Sequence, residues 1–149
     1  MIFDKTTLFS DAQAVTASAA STHVVDLGAT DRVLGASANL RRDIGRGTPV
    51  PLSVQVVEDF AGLTSLTVAI QTSDDAAFGS GVTTHASSGA VPVAELKAGW
   101  TSTLHYMPPA GPEGMKRYLR LNYTVAGSNA SSGKITAGVT FGHQTNDGR

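Results

Sequence analysis

Arg117–Gly142 reads RYLRLNYTVAGSNASSGKITAGVTFG. In its first half Leu119, Leu121, Tyr123 and Val125 alternate with Tyr118, Arg120, Asn122 and Thr124. In its second half Ile135, Ala137, Val139 and Phe141 alternate with Thr136, Gly138, Thr140 and Gly142. A period of two is the mark of half-buried strands, because successive side chains point to opposite faces of a sheet. The segment between the halves is rich in Gly, Ser and Asn and has too few apolar groups to bury. The simplest reading is a long antiparallel hairpin with one apolar face, burying Leu119, Leu121, Tyr123, Val125, Ile135, Val139 and Phe141. Two strands alone are marginal in water, so the rest of the chain must supply more strands and a second layer.

The upstream sequence offers them. Thr22–Leu27, Val50–Val57, Leu63–Thr72 and Trp100–Met107 alternate or are β-branched, and Gly81–Ala86 and Ala90–Leu96 are weaker candidates. Pro92 argues for an edge position for the last of these. Gly, Pro and Asp mark the turns between them, and no helical period is convincing. The expectation is an all-β chain, one antiparallel β-sandwich over residues 1–149, jelly-roll-like, rather than βαβ units.

Two stretches do not fit the strand pattern. Met1–Gln13 (MIFDKTTLFSDAQ) mixes Ile2, Phe3, Leu8 and Phe9 with Asp4, Lys5 and Asp11, and follows neither period. It is expected to be an N-terminal arm that docks on its own domain or on a neighbour, and its removal to leave the sandwich folded. Ala29–Pro49 carries three glycines, two acids and Arg32, Arg41, Arg42 and Arg46. A loop this long without periodicity is uncommon in a compact domain. Its arginines either grip an acidic partner or form local ion pairs in a solvated loop.

Composition narrows the function. The net charge is −1 and charged residues are 15% of the chain. No clustered basic footprint suits nucleic acid, and no apolar run spans a membrane. Without cysteine there is no disulfide framework, thiolate metal site or cysteine nucleophile. The four histidines have no local metal-ligand spacing, and no nucleophile elbow or phosphate loop is present. Asp74 and Asp75 read as turn residues, and Trp100 with Tyr106 as core aromatics before a sugar-stacking pair. The expectation is a protein without enzymatic activity, cofactor or metal.

Three blocks carry a resemblance: LFSDAQAVTASAASTHVVDLG, DIGRGTPVPLSVQVVEDFAGLTSLTVAIQTSDDAAF and KRYLRLNYTVAGSNASSGKITAGVTFGHQT. Together they resemble the capsid cement, or decoration, proteins of tailed bacteriophages. The resemblance implies a structural virion protein, made in the host cytoplasm and bound to the outer surface of an icosahedral capsid. There it would stabilise contacts between major capsid protein subunits, as a homo-oligomer with a dimer ahead of a trimer. Residues Ala29–Leu40 look like an addition to the family pattern. The interface candidates are Ile2, Phe3, Leu8 and Phe9 of the arm and Arg41, Arg42 and Arg46 of the loop. The alternative is a carbohydrate- or ligand-binding β-sandwich serving as an accessory domain of a phage tail or baseplate.

Overall fold

A computed structural model describes residues 2–44, 47–111 and 114–142. The described residues are all-β: β1 (Phe3–Ala14), β2 (Ala19–Ala20), β3 (Val25–Asp26), β4 (Leu52–Ala61), β5 (Ser65–Ser73), β6 (Thr83–Pro92), β7 (Tyr118–Ala126) and β8 (Ser132–Thr140). They form two antiparallel sheets packed face to face, one in the order β1-β8-β4 and one in the order β2-β7-β5-β6, with β3 also on β7.

A further extended segment borders β4. Phe60 N donates to Leu96 O, Val56 N to Trp100 O, Ser102 N to Val54 O, Leu52 N to His105 O and Met107 N to Val50 O, all at 2.9–3.0 Å. The expected Trp100–Met107 strand is therefore present as a ladder, although only the bridges Gln55–Thr101 and Pro51–Tyr106 are regular. The pairs are then nested: β1 with β8, β2 and β3 with β7, β4 with residues 96–107, and β5 with β6. The first half of the chain thus pairs with the second in reverse order, and the long ribbon folds over on itself. That is the strand order of a jelly roll.

The opening hairpin expectation is corrected. β7 and β8 do not pair; they lie in opposite sheets, and residues 127–131 cross between them. Gly127 in this crossing and Gly133 just beyond it, at the start of β8, hold φ of +82° and +135°. A Cβ on Gly133 would drive into the Phe60 ring, which is why a glycine must sit there. Alternation reports which face of a strand is buried and not which strand is its neighbour, so hairpin and crossing look alike in sequence. The inward faces were read correctly for Leu119, Leu121, Tyr123 and Ile135, which are buried. Val125 and Val139 are partly buried and pack against the core. Phe141 is 82% exposed, because β8 ends at Thr140 and the chain leaves the sheet.

The arm is also corrected. Residues 3–14 form β1, an edge strand hydrogen-bonded to β8. Its register slips between Phe3 and Leu8, Leu8 and Ser10, and Ser10 and Gln13, and Ala12 takes a φ of +44°. Each slip shifts the phase of the side chains, which erases the period from the sequence. Phe9 points inward and is fully buried, so it belongs to the core and not to an interface. Leu8 and Phe3 lie on the outward face over Gly138, where a Cβ would come within 3.0 Å of the Phe3 ring and 3.2 Å of Leu8.

A buried polar network ties β1 to the opposite sheet. The Ser10 hydroxyl donates to Gln13 Oε1 at 2.7 Å and lies 2.8 Å from the Tyr123 hydroxyl. With the one Ser10 proton committed, Tyr123 is the donor of that pair. Gln13 in turn accepts from Thr22 N and donates to Ala20 O. Burial pushes the Tyr123 hydroxyl pKa above its ordinary value, against a smaller lowering by Ser10. The two weak strands expected around residue 86 are one strand, β6, bent at Gly89 with φ +72°.

Candidate interaction surface

The nested pairing gives the sandwich two distinct ends. At one end lie the turns 62–64, 93–99 and 127–131 and the bend at 15–18. These are joined by backbone bonds such as Ser131 N to Ala61 O, Ala130 N to Thr16 O and Val93 N to Thr64 O. The other end holds the start of β1, the end of β8 and the connections 27–51, 74–82 and 108–117. Pairing fixes this: Phe3 opposes Thr140, Leu52 opposes Val139, and Ser73 and Asp26 both oppose Tyr118.

Exposed apolar side chains collect at this second end. Nine large ones are exposed among the described residues, and seven belong to it: Ile2, Val33, Leu34, Leu40, Val82, Tyr106 and Phe141. Leu34 is wholly exposed and Ile2 is 66% exposed. The exceptions are Val24, beside β3, and Val57, within β4. The turns of the first end contribute none of them.

The long loop that carries Leu34 has no regular element among its described residues but is braced at its base. Leu40 N donates to Asp31 O at 3.0 Å and Ala36 N to Val33 O at 2.9 Å, so residues 32–39 project as a closed excursion. Below it, Met115 N donates to Arg42 O and Ala110 N to Ile44 O, tying the loop to the 108–117 connection. The Arg42 guanidinium donates to Gly28 O, while its Nε is buried without a hydrogen-bond partner. At the root of the loop Arg117 makes a two-point ion pair with Asp26, at 2.9 Å and 2.8 Å. That hydrogen bonding, with the Gly28 amide, brings the Asp26 carboxyl down to about 2, and the pairing raises Arg117 in turn.

The candidate residues therefore divide. Ile2 is displayed at the apolar end, and Phe3 and Leu8 are half-buried on the outward face of β1. Phe9 is core. Arg41 is exposed on the loop, Arg42 braces the loop base, and Arg46 lies outside the described residues. Phe141 and Leu34 were not among the candidates. Phe141 was assigned inward by alternation, and Leu34 sits in a glycine-rich stretch with no period to mark it.

Open recesses flank this end. A groove of about 510 Å³ runs along the outward face of β1, lined by Phe3, Lys5, Leu8, Asp11, His23 and Thr136. A second, of about 370 Å³, lies at the loop base. Elsewhere, polar groups are used for structure. Asp75 accepts the Ala77 and Gly79 amides, and Asp74 accepts the Arg117 amide. Asp75 thus caps its own turn, while Asp74 ties that turn to the start of β7. His85 lies 2.6 Å from the buried Thr72 hydroxyl, with its pKa lowered by burial and by nearby Lys116. No group of three potential metal ligands gathers among the described residues. No helix among them is long and apolar enough to cross a membrane.

The Bbp16 family model matches residues 9–139, from the buried Phe9 of β1 to Val139 of β8. The chain belongs to the Bbp16 family. The match covers every strand pair of the jelly roll together with the long loop, and stops short of Ile2, Phe3, Leu8 and Phe141. No curated protein matches the chain.

Proposed function

We propose that this chain is a structural protein of a phage particle. It sits on the outer surface of an icosahedral capsid with its apolar end down and holds neighbouring copies of the major capsid protein together. The observation that carries the proposal is the one-sided placement of exposed apolar side chains around Ile2, Leu34 and Phe141. The resemblance of three sequence blocks to cement proteins supports the same reading. Each such side chain contributes roughly 1.5–3 kcal/mol when fully buried. A standard interface takes about 800 Å² from each partner. That is about a tenth of the 8205 Å² this chain exposes, an area one end of the sandwich can supply.

The role is structural and not catalytic. The chain also self-associates, as a dimer ahead of a trimer; β6 and the first half of β1 are edges that a second copy can cover. Light scattering coupled to size exclusion tests this part, and a monomer at all concentrations refutes it.

The docking test compares the parent with a Leu34→Asp/Phe141→Asp double variant on empty capsid shells, using co-sedimentation with circular dichroism as folding control. The variant should remain folded and bind at least tenfold more weakly. Equal binding would remove this end from the mechanism, and absence of binding by the parent would remove the capsid reading. The groove of Phe3, Lys5, Asp11 and His23 supports the second reading, a ligand-binding accessory domain of a tail or baseplate. A glycan array with Phe3→Ala as control distinguishes it.

A further inference from the structure

The irregularity of β1 shapes the groove on its outward face. Its register against β8 slips between Leu8 and Ser10 and again between Ser10 and Gln13, and Ala12 takes a φ of +44°. Phe9 and Ser10 are consecutive and both fully buried, while Asp11 is exposed on the outside. A bulge re-aims a side chain in this way. A non-glycine residue at positive φ persists only where its surroundings hold it, and ligand sites are a common place for such strain. Thr136 holds it here, its hydroxyl accepting the Ala12 amide at 3.0 Å. The resulting groove of about 510 Å³ is lined by Phe3, Lys5, Leu8, Asp11, His23 and Thr136. Small-ligand sites span about 300–1,000 Å³. Phe3 and Leu8 rest on Gly138 and supply its apolar part. The side chains of Lys5, Asp11 and His23 line it without a hydrogen-bond or ion-pair partner among the described residues. The backbone fixes His23 beside β1, its amide donating to Phe9 O at 2.9 Å.

The polar set narrows the ligand. Lys5 only donates, the Asp11 carboxylate only accepts, and the His23 ring can do either. An anion would meet Asp11 and a cation would meet Lys5, so neither sign of charge is favoured. A neutral ring with hydroxyls on adjacent carbons suits all three, because each hydroxyl both donates and accepts. The C–H groups of such a ring also carry partial positive charge, which the negative face of an aromatic ring attracts. We propose that this groove binds a neutral hexopyranose unit of a glycan. Phe3 and Leu8 pack against its C–H groups, Asp11 accepts from its hydroxyls, and Lys5 and His23 donate to them. The proposal rests on the ligand-binding reading of this groove and names its ligand, and it holds whether or not the chain sits on a shell.

The test titrates the full ¹⁵N-labelled chain with the methyl glycosides of glucose, galactose, mannose and N-acetylglucosamine. Sodium phosphate and free leucine serve as an anionic and a zwitterionic comparison. At least one glycoside should give saturable shifts of the Lys5, Leu8, Asp11, His23 and Thr136 amides, with a Kd of about 1 mM for so open a groove. The two charged comparisons should not saturate. Asp11→Ala and Phe3→Leu should each weaken the glycoside at least about tenfold. Both should melt close to the parent, since Asp11 is exposed and Leu keeps Gly138 covered. No saturable shift from any glycoside overturns the proposal. So does saturation of the same amides by phosphate or leucine, or unchanged glycoside binding by Asp11→Ala. Co-sedimentation of the parent with empty shells separates this result from docking. A chain that binds shells and no glycoside loses the groove and keeps the capsid reading, and one that binds a glycoside and no shells does the reverse.

Discussion

Replacing Phe9 by Ala tests whether the first strand is part of the fold. Phe9 is fully buried in the core between the sheets, on a strand that pairs with β8. Truncating a buried Phe to Ala costs about 3–5 kcal/mol, from lost transfer free energy and the cavity left behind. The total stability of a domain is about 5–15 kcal/mol, so the loss is a large fraction of it. At about 2–4 °C per kcal/mol for a chain of this size, the melting temperature should fall by roughly 6–20 °C. Ile2→Ala, one strand position outside the sheet and 66% exposed, should stay within about 0.5 kcal/mol of the parent. Thermal and urea unfolding followed by circular dichroism measure both. Deletion of residues 1–9 should abolish cooperative unfolding for the same reason. If Phe9→Ala melts within a degree or two of the parent, residues 3–14 are a detachable arm and the strand assignment is wrong.

Gly133→Ala should cost about 2–6 kcal/mol, because it adds a Cβ against the buried Phe60 ring at a φ of +135°, and equal stability in urea would refute the close approach. Tyr123→Phe removes the donor to Ser10 and should cost about 1 kcal/mol, with no loss expected if the hydroxyl were solvated instead. Asp26→Asn removes a carboxylate whose pKa is lowered to about 2. A depressed folded-state pKa gives stability that is present above the unfolded value near 4 and lost as pH falls through the folded one. The parent should therefore melt above the variant at neutral pH, and the gap should close between about pH 4 and pH 2; a gap that persists at pH 2 would show that the pair does not set it.

What could be read from the sequence was set by which physical signals are local. The inward faces of β5, β7 and most of β8 were legible, because burial on one face imprints a period of two on Leu66, Val68 and Ile70 and on Leu119, Leu121 and Tyr123. Strand partners were not, since the choice between a hairpin and a crossing at residues 127–131 depends on what Phe60 and Thr64 bring to the turn from elsewhere. β1 was invisible because three register slips break its alternation, and β6 was split because Gly89 bends it. For the surface, Ile2 stood out as apolar beside charges. Arg42 looked available but is used at home, and only the fold shows that its partner is Gly28. Leu34 and Phe141 lie 107 positions apart in the numbering and share an end only because β3, β4 and β8 carry the chain back to it.

In the proposed role, the apolar end also bears on why docking and self-association would belong together. Seven side chains, if all were fully buried, would contribute at most about 10–20 kcal/mol, and several are already half covered, so the lower value is the better guide. Association costs roughly 4–15 kcal/mol in lost freedom. One end on one shell site therefore gives a contact that is weak or moderate. A second copy joined along an exposed strand edge changes the arithmetic, because once one end is seated the other binds at an effective concentration near millimolar. If self-association and docking act in this way, a variant that breaks the oligomer should bind shells 10²–10⁴-fold more weakly although its apolar end is intact. Introducing Lys at Ala90 on β6, an exposed position where a charge would oppose pairing of that edge, provides such a variant. A folded, monomeric Ala90→Lys chain that binds shells as tightly as the parent would show that each end acts alone.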